Sequence, residues 1–185
     1  MNNQIECLLE DDHASLGRLL SEINAELTKR NIARAFALLD IFWARLAMHI
    51  RAENLHLFPA LASAPVTSFT KAKGPPTAEE VKNVLARLRS DHDFFMKELA
   101  RMIKVMRILA LSQEDHFKEV EDLRQSLAKI ASRLEEHNRL EETQTYRWPA
   151  LLLDEQELDR LCDCLRQELQ NLPPRFAADT LRSER

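Results

Sequence analysis

Glycine is nearly absent from this sequence, which has only Gly17 and Gly74 among its 185 residues. Leu, Ala, Glu, Arg and Lys dominate instead, and all of these have high helix propensity. β-branched residues do not form runs of alternating polar and apolar residues, which a half-buried strand would require. The composition therefore argues against a sheet-rich fold and predicts an all-α protein of about one domain.

Cysteines, long apolar runs and excess positive charge are also missing. The three cysteines are too few for a disulfide framework, and none shows a zinc spacing such as C-x-x-C. No apolar run approaches the roughly 20 residues of a membrane span, and the N-terminus does not resemble a signal peptide. The net charge of −4 argues against nucleic-acid binding, which needs a basic surplus. We therefore expect a cytoplasmic protein that binds neither membrane nor nucleic acid.

Apolar residues at alternating spacings of three and four predict four long helices and a shorter fifth one. The first is expected from Gln4 to Arg30, and the second from the N-cap Asn31 to Phe58, where Pro59 would stop it. The third opens at the capping box Thr77–Glu80. The fourth runs from Ser112–Asp115 to Trp148–Pro149, and the fifth begins at the N-cap Asp154 and ends before Pro173.

Four such stripes joined by short connections are typical of an antiparallel up-down-up-down four-helix bundle. We expect this bundle to occupy residues 1–150. Residues 151–185 would form an additional C-terminal helix and a frayed tail. The fifth helix is expected either to pack on the outside of the bundle or to form a homodimer contact, and the sequence does not choose between the two.

Polar residues interrupt each apolar stripe where the same spacing rule points to the core. These residues are His13 on the first helix, His49 and Glu53 on the second, His92 on the third, and His137 and Glu141 on the fourth. With a rise of 1.5 Å per residue, the four histidines lie about 14 to 22 Å from one end of the bundle, and each glutamate lies one turn from the histidine that precedes it. One layer of the bundle therefore collects four imidazoles and two carboxylates.

A metal site is the interpretation that best accounts for this layer. Each group, if buried without a partner, would cost roughly several kcal/mol, and a cation offsets that cost. Nitrogen and oxygen ligands without thiolates suit iron, manganese or zinc, and six ligands exceed what one tetrahedral zinc needs. Any one of these residues alone would more often be an ordinary core or surface residue, so the inference depends on their coincidence.

The chain also repeats itself. Asp12-His13 precedes His49-x-x-x-Glu53, and Asp91-His92 precedes His137-x-x-x-Glu141. Two helical hairpins of this kind would be related by a pseudo-two-fold axis. Such an arrangement predicts a symmetric dinuclear site on that axis.

These motifs, with the segment His49–Pro59 and the pair Glu141-Glu142, resemble the hemerythrin-like, HHE cation-binding family. The resemblance covers about Ile5 to Pro149. It implies two iron ions joined by an oxo or hydroxo bridge, for which zinc or manganese could substitute. It also implies that Glu53 and Glu141 bridge the irons, that His13 and His49 hold one iron, and that His92 and His137 hold the other.

The sequence departs from the oxygen-carrying hemerythrins in two respects. They have a fifth histidine where this chain has Met96, and a His-x-x-x-x-Asp pair where this chain has His-x-x-x-Glu. One iron is therefore expected to keep an additional open or water-filled position, which suits peroxide, nitric oxide or redox chemistry. Glu6 and His56 are expected to form a second polar layer nearer the bundle end, whereas Tyr146 and Trp148 are expected to pack near the mouth of the site.

Three functions follow as alternatives. The first is a non-haem di-iron protein, not a conventional enzyme, that binds or senses O2, NO or peroxide. The second is donation of iron to damaged iron centres, or their repair, under nitrosative or oxidative stress. The third is a helical interaction module with a structural metal, in which the fifth helix provides the partner surface.

Overall fold

The computed structural model describes residues 4–64, 75–111, 116–174 and 176. These residues contain no strand, so the all-α prediction is confirmed. The helices are α1 (Gln4–Thr28), α2 (Ile32–Ala52), α3 (Phe58–Ser63), α4 (Ala78–Leu109), α5 (Phe117–Leu140), α6 (Pro149–Leu152) and α7 (Glu155–Gln170). A π-helical turn follows α2 at Glu53–Leu57, and another follows α5 at Glu141–Thr145. Among the described helices, none has the length and apolar character needed to cross a membrane.

The three predicted N-caps are confirmed. Asn31 caps α2, and its side chain accepts a hydrogen bond from a backbone N–H of the first turn. Thr77 with Glu80 and Asp154 with Glu157 form capping boxes at the starts of α4 and α7. Each box satisfies backbone N–H groups that have no partner within the helix. The predicted start of the fourth helix at residues 112–115, and the predicted tail beyond 176, lie outside the described residues.

The four long helices contact one another in a closed ring, since α1 and α4 each pack against both α2 and α5. In the α1–α2 hairpin, Asp12 contacts His49, and Ser15 contacts Arg45. Later residues of one helix therefore meet earlier residues of the other, so the two helices run antiparallel. Contacts between α4 and α5 show the same reversal.

Apolar side chains fill the bundle on both sides of a buried polar layer. The first core cluster lies toward the α1–α2 turn and includes Leu16, Ile23, Phe42, Leu99 and Ile130. The second core cluster lies at the other end and includes Ile5, Leu57, Phe58, Tyr146, Trp148 and Leu165. Along each long helix, the predicted ligands fall between residues of the two clusters, so the polar layer divides the core.

The helix α7 packs within the chain against α1, α2 and the first π turn. Its residues Leu161 and Leu165 belong to the second core cluster, and burial of a leucine contributes about 1.5–3 kcal/mol. Glu168 pairs with Arg51 at 3.1 Å. Of the two placements that the sequence left open, the structure therefore has the helix on the outside of the bundle.

The prediction that Pro59 stops the second helix was wrong. The helix passes through the first π turn and continues as α3 to Ser63. In the π turn, the N–H of Phe58 donates to the carbonyl of Glu53, five residues earlier. Pro59 then lies in the first turn of α3, where the missing N–H of a proline costs little.

Candidate metal centre

All six predicted ligands lie together in the polar layer, and each is at most 6% exposed. They form two overlapping groups of side chains. The first group is Glu53, His92, His137 and Glu141, and the second is His13, His49 and Glu141. Within each group the potential ligand atoms all lie within 4.8 Å of one another. Glu141 belongs to both groups, so the cluster is continuous.

The four imidazoles form two pairs that meet through Nε2. The Nε2 atoms of His13 and His49 are 3.2 Å apart. Those of His92 and His137 are also 3.2 Å apart. We refer to these as the His13–His49 pair and the His92–His137 pair.

Each carboxylate extends between the two histidine pairs. One oxygen of Glu53 lies 3.4 Å from Nε2 of His49, and the other lies 3.2 Å from Nε2 of His92. Glu141 does the same, with oxygens 3.4 Å from Nε2 of His13 and 3.1 Å from Nε2 of His137. A carboxylate that faces two sets of imidazoles in this way is placed to bridge two cations.

Carboxylates outside the cluster orient one histidine of each pair. Nδ1 of His49 lies 2.9 Å from Asp12, which also accepts a hydrogen bond of 2.7 Å from Arg45. Nδ1 of His137 lies 3.3 Å from Asp91, which accepts a hydrogen bond of 2.7 Å from Arg133. A carboxylate on Nδ1 fixes the ring and directs the Nε2 lone pair inward, as is common for metal-binding histidines.

The other histidine of each pair is contacted from the opposite hairpin. Nδ1 of His13 lies 2.9 Å from the Glu142 carboxylate. Nδ1 of His92 lies 3.3 Å from the Asn54 side-chain amide. All four Nδ1 atoms therefore have a polar neighbour outside the cluster, and all four Nε2 atoms face inward.

This donor set fits cations. Two inward lone pairs 3.2 Å apart repel each other unless a proton or a cation lies between them. Among the described residues, Glu53 Oε2 and Glu141 Oε1 are buried and accept no hydrogen bond. Such buried oxygens are costly without a positive partner. Imidazoles and carboxylates without thiolates suit iron, zinc or manganese.

Strong pKa shifts accompany this arrangement. Burial opposes ionisation of Glu53, but the imidazoles of His49 and His92 together outweigh it and hold the pKa of that carboxyl well below its usual range. Burial also opposes protonation of His49, but the carboxylates of Glu53 and Asp12 together outweigh it and raise the pKa of that imidazole well above its usual value. Against the effect of burial, Glu141 and Glu142 raise the pKa of His13, and Glu141, Glu53 and Asp91 raise the pKa of His137. Protons thus provide the positive charge that a bound cation would otherwise provide.

Tyr146 is part of the centre, although packing was expected for it from the sequence. Its side chain is fully buried, and its hydroxyl oxygen lies 2.7 Å from Glu53 Oε1 and 3.1 Å from Glu141 Oε2. The same oxygen is 2.9 Å from Nε2 of His13 and 3.4 Å from Nε2 of His49. Burial, followed by Glu141 and Glu53, raises the pKa of this hydroxyl well above its usual value. Trp148, by contrast, packs in the second core cluster as expected.

The second π turn explains why this tyrosine was missed. The N–H of Tyr146 donates to the carbonyl of Glu141, five residues earlier, at 2.9 Å. In an α-helix, the residue that lies one turn after Glu141 on the same face is the fourth residue after it. In the π turn, the fifth residue, Tyr146, takes this place. Both ligand glutamates carry an aromatic residue at this fifth position, Phe58 after Glu53 and Tyr146 after Glu141. This repetition was the available signal in the sequence.

The structure does not form the second polar layer expected from Glu6 and His56. Glu6 pairs with Arg147 at 3.3 Å, and no hydrogen bond or ion pair joins it to His56 within the described part of the chain. His56 lies in the first π turn, which rotates it away from the core and leaves Leu57 fully buried in its place. Met96 is half-buried and packs against the first core cluster.

A groove between α1 and α5 leads from the solvent to His13. Its volume is about 830 Å³, and Glu10, Gly17, Asn138 and Glu142 are among the residues that line it. A Cβ atom at Gly17 would have no atom within 4 Å, so the groove is open at this point. Small molecules and cations could therefore reach the His13–His49 pair along a partly acidic path.

One comparison with known proteins gives a match. The family model described as "Hemerythrin HHE cation binding domain" matches residues 7–149. No curated protein and no solved structure gives a significant match. The matched segment contains the six clustered ligands and Tyr146, and it ends before α7.

Proposed function

The chain belongs to the hemerythrin HHE cation-binding family, and from this premise we propose that it holds a non-haem di-iron centre that binds or senses O2 or a related small oxidant. The observation that carries the proposal is the placement of Glu53 and Glu141. Each extends one oxygen toward the His13–His49 pair and the other toward the His92–His137 pair. Two iron ions in such a site would supply electrons to a small oxidant.

The residues of the chain have distinct roles in this proposal. Glu53 and Glu141 would bridge the two ions, and each histidine pair would hold one of them. Asp12 and Asp91 keep their imidazoles in the orientation that a ligand needs. The core clusters on both sides exclude bulk water, while the groove beside His13 admits small molecules.

Met96 favours oxidant binding or sensing over reversible oxygen carriage. It stands where the oxygen-carrying hemerythrins have a fifth histidine, and its thioether packs against apolar residues of the first core cluster. One cation would thus have one imidazole fewer, which leaves a position for a small molecule.

The test is metal analysis combined with an optical spectrum of anaerobically prepared protein, before and after exposure to oxygen. We expect two irons per chain and near-ultraviolet charge-transfer bands that appear on exposure. The variant Glu136→Gln serves as a control and should show the same iron content and the same bands as the wild type, because Glu136 is exposed although it lies beside His137 in the sequence. Protein that is free of iron and takes up none under reducing conditions would contradict the proposal.

Iron donation to damaged centres is the second candidate, and the groove favours it. Carboxylates of Glu10 and Glu142 line a path between His13 and solvent, and such a path suits passage of a cation. Transfer of iron from loaded protein to a metal-free acceptor would support donation. Gly17→Leu should slow that transfer by narrowing the groove, whereas Gly17→Ala, the matched control, should not. Equal transfer rates for the two variants would exclude the groove as the path.

The interaction-module function considered from the sequence has less structural support. It needed α7 as a partner surface, and the apolar face of α7 is covered by α1 and α2. Removal of the metal tests it further, because a structural metal is coupled to folding. Unchanged helicity and melting temperature after removal would count against it.

A further inference from the structure

The two segments that carry the bridging glutamates have the same plan. Each contains His-x-x-x-Glu and enters a π turn at the glutamate. In each, an arginine four residues before the histidine binds an aspartate that contacts this histidine. Corresponding positions can therefore be compared in space as well as in sequence.

The aromatic residues at the fifth position after each glutamate occupy equivalent places. Phe58 stacks on His92, with ring centroids 5.7 Å apart and planes 3° apart. Tyr146 lies against His13, with ring centroids 5.4 Å apart and planes 34° apart. Each ring therefore covers the histidine that the opposite hairpin contributes. The two places differ by one oxygen atom, which only Tyr146 has.

The residues directly after the two glutamates also differ, and the more polar residue again lies beside the His13–His49 pair. Glu142 contacts Nδ1 of His13, whereas its counterpart Asn54 contacts Nδ1 of His92. A carboxylate and a phenol thus lie beside the His13–His49 pair, where the His92–His137 pair has an amide and a phenyl ring. Both differences make the surroundings of the His13–His49 pair more favourable for a cation of high charge than those of the His92–His137 pair.

We propose that the phenolic oxygen of Tyr146 is a ligand of the cation held by His13 and His49, so that the two cation positions are chemically inequivalent. The inference rests on the proposed metal centre. The hydroxyl oxygen lies within 3.4 Å of Nε2 of both histidines, and 2.7 Å from a bridging carboxylate. The hydroxyl oxygen of Tyr146 therefore lies in the region toward which the Nε2 lone pairs of His13 and His49 point.

Ligation forms one metal–oxygen bond and releases the hydroxyl proton to solvent. Cation binding to protein ligands releases protons in this way, and a metal inverts the electrostatic balance that otherwise keeps such a group protonated. The groove beside His13 gives that proton a route out of the core. No oxidant or reductant is needed for this step.

The sequence contains a single tyrosine, so wild-type protein alone can test the proposal. The full chain is loaded with ferric iron, and its visible spectrum and resonance Raman spectrum are recorded. We expect a phenolate-to-iron charge-transfer band in the visible region, with enhanced phenolate ring modes. Only Tyr146 can be their source. Protein that binds two irons without this band would overturn the ligand assignment, whereas protein that binds no iron would instead refute the proposed metal centre.

Variants provide the second line of evidence. Tyr146→Phe retains the ring that packs in the second core cluster, and it should lose the whole visible band while retaining bound iron. Trp148→Phe is the matched control, because Trp148 is another buried aromatic residue of the same cluster, and its band should equal that of wild type. A visible band that persists in Tyr146→Phe would overturn the proposal.

Discussion

The α1–α2 and α4–α5 hairpins supply the same ligands to the centre but surround them differently. Each gives one histidine from its first helix and a His-x-x-x-Glu motif from its second, followed by a π turn. They differ at the first and fifth residues after the glutamate, and α7 packs mainly on the first hairpin. In the proposed centre, the shared positions would hold the two cations, and the differing positions would determine the groups that surround each cation.

Loss of Glu53 or Glu141 should have the largest effect and should affect both hairpins equally. Because Glu53 and Glu141 each face both histidine pairs, Glu53→Ala and Glu141→Ala should each lose both irons. Iron content per chain is the measurement, and circular dichroism checks that the variant is folded. A folded variant that keeps one iron would show that the carboxylates do not bridge equally.

Truncation in α7 tests the packing that distinguishes the first hairpin from the second. Leu165 is fully buried, so Leu165→Ala leaves a cavity and should lower the free energy of unfolding by about 2–5 kcal/mol. Leu158→Ala is the control, because Leu158 is only half-buried and should cost less. Urea unfolding of the two variants gives the comparison, and equal losses would mean that α7 does not contribute through this packing.

Removal of the outer carboxylates should weaken cation binding by about 10–100-fold in each hairpin. The loss should be greater for Asp12→Asn than for Asp91→Asn, because Asp12 lies 2.9 Å from its histidine and Asp91 lies 3.3 Å from its own. Competition with a chelator measures both affinities. Asp11→Asn, at an exposed neighbouring position, should bind iron as wild type does. A larger loss for Asp91→Asn would reverse the expected order.

The smallest effect is expected at the first position after each glutamate. Glu142→Gln makes the surroundings of His13 resemble those of His92, but the Glu142 side chain is 37% exposed and its charge is screened. We therefore expect iron affinity to fall by less than about fivefold, the equivalent of 1 kcal/mol. The same chelator competition applies. A loss as large as that of Asp12→Asn would mean that Glu142 is as important for orienting its histidine.

The periodicity of the sequence was sufficient to predict which polar residues share the buried layer, because these residues lie within or at the ends of regular α-helices. These residues extend from His13 on α1 to Glu141 at the end of α5. Along each of the four long helices, the rise is 1.5 Å per residue and the buried positions alternate at spacings of three and four. The capping box at Thr77 and the N-cap at Asp154 could be predicted from their residue types alone.

The same rules failed beyond the glutamates. Each π turn adds one residue to a turn, so Leu57 faces the core where His56 was expected, and Tyr146 faces the centre where packing was expected. No residue type marks a π turn as clearly as a capping box marks a helix start. The placement of α7 was open for another reason, since its apolar stripe fits the bundle and a second copy equally well.

Each π turn separates the residues before it, whose positions are set by α-helical hydrogen bonds, from the residues after it, whose positions depend on the turn. The hydrogen bonds before Glu141 follow the α pattern, so the positions of His137 and Glu141 do not depend on the length of the turn that follows. If Glu141–Thr145 formed a regular α turn at the same chain length, Thr145 would take the place above Glu141, and Tyr146 would turn by about 100° away from the centre. The type of this turn therefore determines whether the side chain at position 146 reaches the polar layer, while every residue before the turn keeps its place.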